Sequence, residues 1–186
     1  MARKVIIYGG SGGIGSLTGR ILRGRGYDLH LVGRSEGKLA AIAAELEASF
    51  TTGEVTDSAR FSRVTKEAGE PLEGLVYAVG TINLRSLQRL TENAFLNDFR
   101  VNAMGAALAV QAAFSALKKS PKVASVVLFS SVAALQGLSF HASMGMAKGA
   151  VATYRSRHSW YAGAFCLAQE IAQQLARSAL LLGAMS

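Results

Sequence analysis

Cysteine is nearly missing from this sequence: Cys166 stands alone among 186 residues. One thiol closes no internal disulfide, and a reducing, cytoplasmic setting is the expectation. The three histidines, His30, His141 and His158, lie far apart. None has the cysteine or carboxylate spacing of a metal site, so no metal is expected. Long hydrophobic runs are absent too. The longest weakly polar stretch, residues 104–117, contains Gln111, and a membrane span needs about 20 apolar residues. Met1-Ala2-Arg3-Lys4 precedes only a four-residue apolar run, which reads as no signal peptide and no membrane association. Acidic residues are outnumbered 12 to 20 by lysine and arginine, for a net charge of +8. The arginines are scattered, with no basic segment interleaved with aromatics. That favours a basic surface, or a pocket for a phosphorylated small molecule, over nucleic acid. No fixed-period repeat and no low-complexity linker interrupts the chain.

Half of the residues are hydrophobic and 17% are charged, a globular composition with material for a core. Glycine is concentrated where the opening strand ends: "YGGSGGIG" at 8–15 holds five glycines in eight residues. Glycine loses the most backbone freedom on folding, so such a cluster implies a close approach to the backbone. The pattern predicts strands at 5–8, 28–32, 49–52, 75–79 and 123–129. Helices are expected at 14–22, 38–46, 58–68 and 95–117. On the first helix, Ile14, Leu17, Ile21 and Leu22 form an apolar face. On the third, Phe61, Val64 and Ala68 fall in step. Strand-helix alternation of this kind predicts a doubly wound parallel sheet in three α/β/α layers. A glycine-rich loop between the first strand and helix lets a pyrophosphate approach the backbone. The helix N-terminus then supplies N–H donors and a positive dipole end. Residues 1–186 read as a single dinucleotide-binding domain.

Several motifs, in order, resemble the short-chain dehydrogenase/reductase family over residues 3–150. Its Thr-Gly-x-x-x-Gly-x-Gly is Tyr8-Gly9-Gly10-Ser11-Gly12-Gly13-Ile14-Gly15 here, with tyrosine for threonine. Its Asp-Val is Glu54-Val55, and its Asn-Asn-Ala-Gly is Tyr77-Ala78-Val79-Gly80. Its helix asparagine matches Asn102, its Ser-Ser matches Ser130-Ser131, and its lysine matches Lys148. The resemblance implies a Rossmann-like fold, a nicotinamide cofactor, a small-molecule substrate and a homodimer or homotetramer. It places Gly9, Ser11, Gly13, Ile14, Gly15, Gly33, Arg34, Glu54, Val55, Ala78, Val79, Gly80, Asn102 and Lys148 around the cofactor. Ser131 would bind a carbonyl, and Lys148 would anchor ribose hydroxyls. The alternatives are a turn or cap serine and a solvated helix lysine. After the second strand comes Gly33-Arg34 where an acid would accept the ribose 2′-hydroxyl. Arginine suits a 2′-phosphate and points to NADP(H), unless Arg34 is only a solvated loop residue. Ala103, Ala106, Ala107 and Ala113, with Val110, would face a partner subunit or else the chain's own sheet.

The resemblance breaks twice. The family's general-acid tyrosine, four residues before the lysine, is Met144, which has no proton to give. The window His141-Ala142-Ser143-Met144-Gly145-Met146-Ala147-Lys148 is locally similar to enoyl-thioester reductases, with His141 at their tyrosine's position. His141 could donate a proton, or it could be a half-buried helix cap. Residues 151–186 lack the expected Arg-Val-Asn strand and contain no proline. Their pattern from Phe165 to Leu182 predicts helix, as a natural shortened end, a truncation or a shifted reading frame. The expected activity is NADP(H)-dependent oxidoreduction of a carbonyl or activated C=C bond by Asn102, Ser131, His141 and Lys148. The alternative is a non-catalytic NADP(H)-binding protein.

Overall fold

The computed structural model describes residues 3–157 and 165–167. Six parallel strands, β1 Lys4–Tyr8, β2 Asp28–Gly33, β3 Ser49–Thr52, β4 Gly74–Tyr77, β5 Ser125–Leu128 and β6 Phe165–Leu167, lie in the order β3-β2-β1-β4-β5-β6. Alternate residues of each strand enter opposite cores. Val5, Ile7, Leu29, Leu31 and Val76 pack with Leu39, Ala43 and Leu46 of helix α2 Glu36–Glu45 and its C-cap. Ile6, Tyr8, Val32, Leu75, Tyr77, Val126 and Leu128 pack on the other face. They meet α3 Ser58–Ala68, α5 Gly105–Lys118 and α7 Ala142–Arg157. Both faces of the sheet are covered, which is why β1 from Val5 onward and all of β4 are apolar and buried. Phe61, Val64 and Ala68 of α3 are all buried as expected.

Helix α1, Gly13–Gly24, reverses the expected face. Ile14, Leu17 and Ile21 are 44%, 51% and 50% exposed, while Gly15, Ser16 and Gly19 are buried. Of the expected face only Leu22 packs against the core, and the helix approaches closely through its glycines. A Cβ on Gly19 would stand 2.8 Å from Leu46 Cδ1, and one on Gly15 would stand 2.1 Å from the Gly9 carbonyl oxygen. Hydrophobic periodicity is blind to a face made of glycine.

The helix expected over 95–117 is one rod in three parts: α4 Glu92–Phe99, a wide π turn at Arg100–Met104, and α5. A π turn frees a carbonyl from its usual bond. Here the Tyr77 hydroxyl donates to the Val101 oxygen at 2.7 Å. Gly105 leaves the necessary room, because a Cβ there would lie 2.2 Å from Tyr77 Oη. Ala106, Val110 and Ala113 of α5 are buried in the chain's own core. Most of the small-residue stripe considered for subunit pairing is therefore used within the chain. The helix expected from Phe165 begins instead as β6, whose Phe165, Cys166 and Leu167 pair with Val126, Val127 and Leu128. An apolar triplet has no decisive period of its own, and pairing satisfies the outer backbone edge of β5. The rest of that expected helix, 168–182, lies outside the described residues. Two shorter elements complete the fold, a helical turn at Leu87–Arg89 and α6 at Ala133–Gln136. Among the described residues, no helix is long and apolar enough to cross a membrane.

His30 on β2 is buried in a polar chain. Its Nδ1 and Nε2 lie 2.8 Å from Ser49 Oγ and Thr51 Oγ1. Thr51 in turn donates to Glu67. Burial pulls the His30 pKa down to about 4, against an opposing pull from Glu67. In the unfolded chain the value returns to about 6.5, so the unfolded state binds more protons between the two. His30 therefore costs no stability above that range, and stability falls as acid is added through it. At pH 5 the loss is expected to be about 2 kcal/mol. His30→Gln should flatten the stability profile between pH 7 and 5 in urea titrations. An unchanged slope would exclude His30 as its source.

Candidate active site

The C-terminal ends of β1 to β5 lie along one edge of the sheet, where ligands bind in doubly wound folds. At the end of β1, Gly9 has φ +80, and a Cβ on it would sit 2.8 Å from the Ala78 carbonyl oxygen. The Gly9 and Gly10 amides both donate to the Val32 oxygen, at 2.8 and 3.0 Å. Gly9, Gly10 and Gly15 are thus needed for the chain to close on itself. Gly13 is different: a Cβ there would meet nothing within 4 Å. It faces open space at the start of α1, beside the first-turn amides of Gly13, Ile14 and Gly15, which α-helical geometry leaves without acceptors. Helix N-termini of this kind are suited to anions.

Tyr8, in the family threonine's place, points away from this loop into the core. Its ring centroid lies 5.6 Å from that of Phe61 and 5.7 Å from that of Tyr77. Burial raises the hydroxyl pKa above the usual phenol range. Tyr77 also points inward, into the π turn, and does not join the cleft. Ala78, Val79 and Gly80 follow it at the strand's end, and Val79 and Val55 pack against the core below.

At the end of β2, Ser11 Oγ stands 3.1 Å from where a Gly33 Cβ would be. The Arg34 side chain is 75% exposed, with Nη1 3.9 Å from Glu54 Oε1 at the end of β3. It is accessible to an anion, with one loose ion-pair partner.

Lys148 and Asn102 meet beside Gly80. A Cβ on Gly80 would stand 3.0 Å from Asn102 Oδ1 and 3.4 Å from Lys148 Nζ. Lys148 is 8% exposed, so it is not a solvated helix lysine. Its ammonium donates to the Phe129 oxygen at 2.8 Å, and burial lowers its pKa to about 8. Ser130 Oγ donates to the Lys148 carbonyl at 2.9 Å, pinning α7 to the end of β5. Ser131 Oγ accepts the Ala133 amide at 3.2 Å. That is a turn role, and it leaves the serine's own O–H to donate. Asn102 is 1% exposed. Its Nδ2 donates to Thr81 Oγ1 at 2.8 Å and to the Asp98 carbonyl at 2.9 Å.

His141 is half-buried at the start of α7, and its carbonyl accepts the Gly145 amide. Its Nδ1 lies 2.6 Å from the Ser139 oxygen. A carbonyl only accepts, so Nδ1 carries the hydrogen. Nε2 of neutral His141 is then an acceptor, and it donates only as imidazolium. Met144 is 5% exposed, one turn before Lys148 on the same stripe of α7. Sequence reasoning missed Thr81, Asn83, Asp98 and Ser143, a hydrogen-bonded group behind Asn102 in which Asp98 and Ser143 are buried and Thr81 and Asn83 half-buried. Asp98 looks like an ordinary surface-helix acid. The one hint was its position four residues before Asn102, on the same helical face.

Helix-start amides, a glycine facing open space and a buried lysine thus gather at one edge of a doubly wound α/β sheet. The short chain dehydrogenase family profile matches residues 3–159. The chain belongs to that family, whose members use nicotinamide cofactors. It is similar to the L-2,3-butanediol dehydrogenase of Corynebacterium glutamicum, 27% identical over 161 residues. The match covers 81% of this chain and 62% of that enzyme, so the chain spans less than two thirds of its relative. A short-chain type dehydrogenase/reductase from Mycobacterium ulcerans superimposes with a TM-score of 0.76 at 24% identity, covering 82% of this chain and 59% of that one. A short chain dehydrogenase from Salmonella enterica gives 0.75 at 22%, covering 83% and 68%. These structural likenesses establish the fold.

Proposed function

We propose that this protein is an NADP(H)-dependent oxidoreductase of the short-chain type, acting on an activated C=C bond or a carbonyl. The observation that carries the reading is the convergence of buried Lys148 and Asn102 on Gly80, beside the open Gly13 cradle. The first-turn amides of α1 would hold the pyrophosphate, and Lys148 would bind ribose hydroxyls. Ser11, Gly33 and Arg34 would receive the 2′-phosphate. The bound nicotinamide supplies or accepts hydride. Ser131 O–H would hold the substrate oxygen, and imidazolium His141 would donate the accompanying hydrogen bond. Without a tyrosine at 144, an alkene conjugated to a carbonyl suits this site better than a simple ketone. Its enolate needs stabilisation first and takes a proton from water. The butanediol dehydrogenase relative brings small diketones and hydroxyketones into the substrate panel. A cytoplasmic homo-oligomer is part of the same reading, with exposed Leu96, Phe99 and Met104 on the α4–α5 rod available to a second copy.

NADPH oxidation over enoyl thioesters, diketones and ketones tests the reading. Alkene turnover should exceed ketone turnover. His141→Phe should lower it while leaving NADPH affinity nearly unchanged. Brisk reduction of simple ketones by the unaltered protein would overturn the preference for alkenes. The second reading, a non-catalytic NADP(H)-binding protein, is favoured by buried Met144 and predicts tight cofactor binding without turnover on any panel member.

NADPH should bind at least about ten-fold tighter than NADH, because a charge-assisted phosphate contact contributes ~1.5–3 kcal/mol. Arg34→Asp should narrow or reverse that preference. Equal dissociation constants for the two cofactors in the unaltered protein would remove NADP(H) from the proposal.

A further inference from the structure

Behind Asn102 lies an acid that no step above uses. Asp98, near the end of α4, is 0% exposed. As a carboxylate it only accepts. Thr81 Oγ1 donates to its Oδ1 at 2.6 Å and Asn83 Nδ2 to the same oxygen at 2.7 Å. Ser143 Oγ donates to Oδ2 at 2.6 Å. Three pieces of chain are thereby tied to one side chain: the loop after β4, the rod carrying the π turn, and the first turn of α7.

The direction of these bonds has a consequence for Asn102. A hydroxyl has one hydrogen, and Thr81 spends it on Asp98. Toward Asn102, Thr81 Oγ1 is therefore an acceptor, and it takes an Nδ2 hydrogen at 2.8 Å. The second Nδ2 hydrogen goes to the Asp98 main-chain oxygen at 2.9 Å. Both amide hydrogens are thereby engaged, and the carboxamide oxygen, which accepts the Thr81 main-chain amide at 3.4 Å, faces Gly80. We infer that Asp98 and Thr81 form a positioning pair, which holds the Asn102 amide so that its oxygen faces Gly80, the same residue that Lys148 Nζ approaches, at the ribose-hydroxyl end of the cleft. The inference rests on the cofactor reading above. Neither residue touches the cofactor; both act through Asn102.

Thr81→Val removes the hydroxyl link between the Asp98 carboxylate and Asn102, keeps the Asn102 bond to the Asp98 main-chain oxygen, and leaves the carboxylate two of its donors. NADPH is then expected to bind about ten-fold more weakly, as for loss of a hydrogen bond to a charged group. The probe 2′,5′-ADP, which lacks the nicotinamide ribose, should bind as to the unaltered protein. Thr81→Ser should restore NADPH affinity. In an Asn102→Ala background, Thr81→Val should have no further effect. Asp98→Asn keeps an oxygen for Thr81 and Asn83 and offers Ser143 a donor, so it should behave as the unaltered protein. Asp98→Ala should weaken NADPH binding as Thr81→Val does, if it folds. A second readout is hydrogen exchange of the Asn102 side-chain amide by NMR, slow in the unaltered protein and accelerated by Thr81→Val. Equal weakening of NADPH and 2′,5′-ADP, or full NADPH affinity with both amide hydrogens still protected, would overturn the inference. If the unaltered protein binds neither ligand, the cofactor reading fails, and the amide exchange alone decides whether the pair positions Asn102.

Discussion

Replacing Met144 with tyrosine is expected to raise ketone reduction by about 10²-fold or more. Hydride addition to a ketone leaves an alkoxide, and a positioned general acid contributes about 10²–10⁴-fold to such a step. Met144 offers no proton. Its position is nonetheless the right one: it is buried, one helical turn before Lys148 on the same stripe of α7. A phenol there would sit beside the Lys148 ammonium, whose charge favours proton release. Overpacking a well-filled site costs about 1–3 kcal/mol, so thermal unfolding should be followed alongside turnover. A folded Met144→Tyr protein that binds NADPH but reduces ketones no faster would mean that Ser131 and Lys148 are not assembled for catalysis. The non-catalytic reading would then stand.

Alanine at Gly13 and alanine at Gly15 should part in a way that identifies the cofactor cradle. Gly13→Ala places its methyl in open space, so thermal stability should hardly change. The same methyl would stand where a pyrophosphate must come against the backbone, and NADPH affinity should fall about ten-fold or more, as for an overpacked contact. Gly15→Ala drives a Cβ to 2.1 Å from the Gly9 carbonyl oxygen, which is main chain and has no rotamer to escape into. Loop and helix must separate, and both stability and binding should drop. Calorimetry with NADPH, paired with thermal unfolding, reads both. Undiminished NADPH affinity in Gly13→Ala would remove the loop from the cofactor site.

What was legible in the sequence follows from local rules. Apolar β-branched runs such as Val5-Ile6-Ile7 mark strands buried on both faces. The glycine cluster after the first of them marks a close backbone approach. Phe61, Val64 and Ala68 show their helical face because all three carry side chains that a moment can register. Asn102 stood out by its match to the family's helix asparagine, and its side-chain amide is hydrogen-bonded through both nitrogen hydrogens and its oxygen inside a π turn.

The remainder depended on which surfaces meet. Periodicity put Ile14, Leu17, Ile21 and Leu22 inward, but of these only Leu22 packs against the core, and α1 makes its closest approach through Gly15 and Gly19, which carry no side chain. Periodicity also read Phe165 as helical, although the free edge of β5 drew Phe165–Leu167 into the sheet. Tyr77 aligned with a cleft motif yet turned into the core to cap the Val101 carbonyl. Lys148 could have been solvated or buried by its sequence alone. Packing between β5 and α7 removed it from water and lowered its pKa to about 8. Asp98 is one acid among twelve in the chain. Its burial with Thr81, Asn83 and Ser143, residues 15 to 45 positions away, exists only once the loop after β4, the helical rod and α7 come together. The chain's local chemistry determined most of the elements and the glycine loop. Which polar groups lost water, and therefore which gained fixed hydrogen-bond directions, was decided by tertiary packing, because desolvation depends on neighbours distant in sequence.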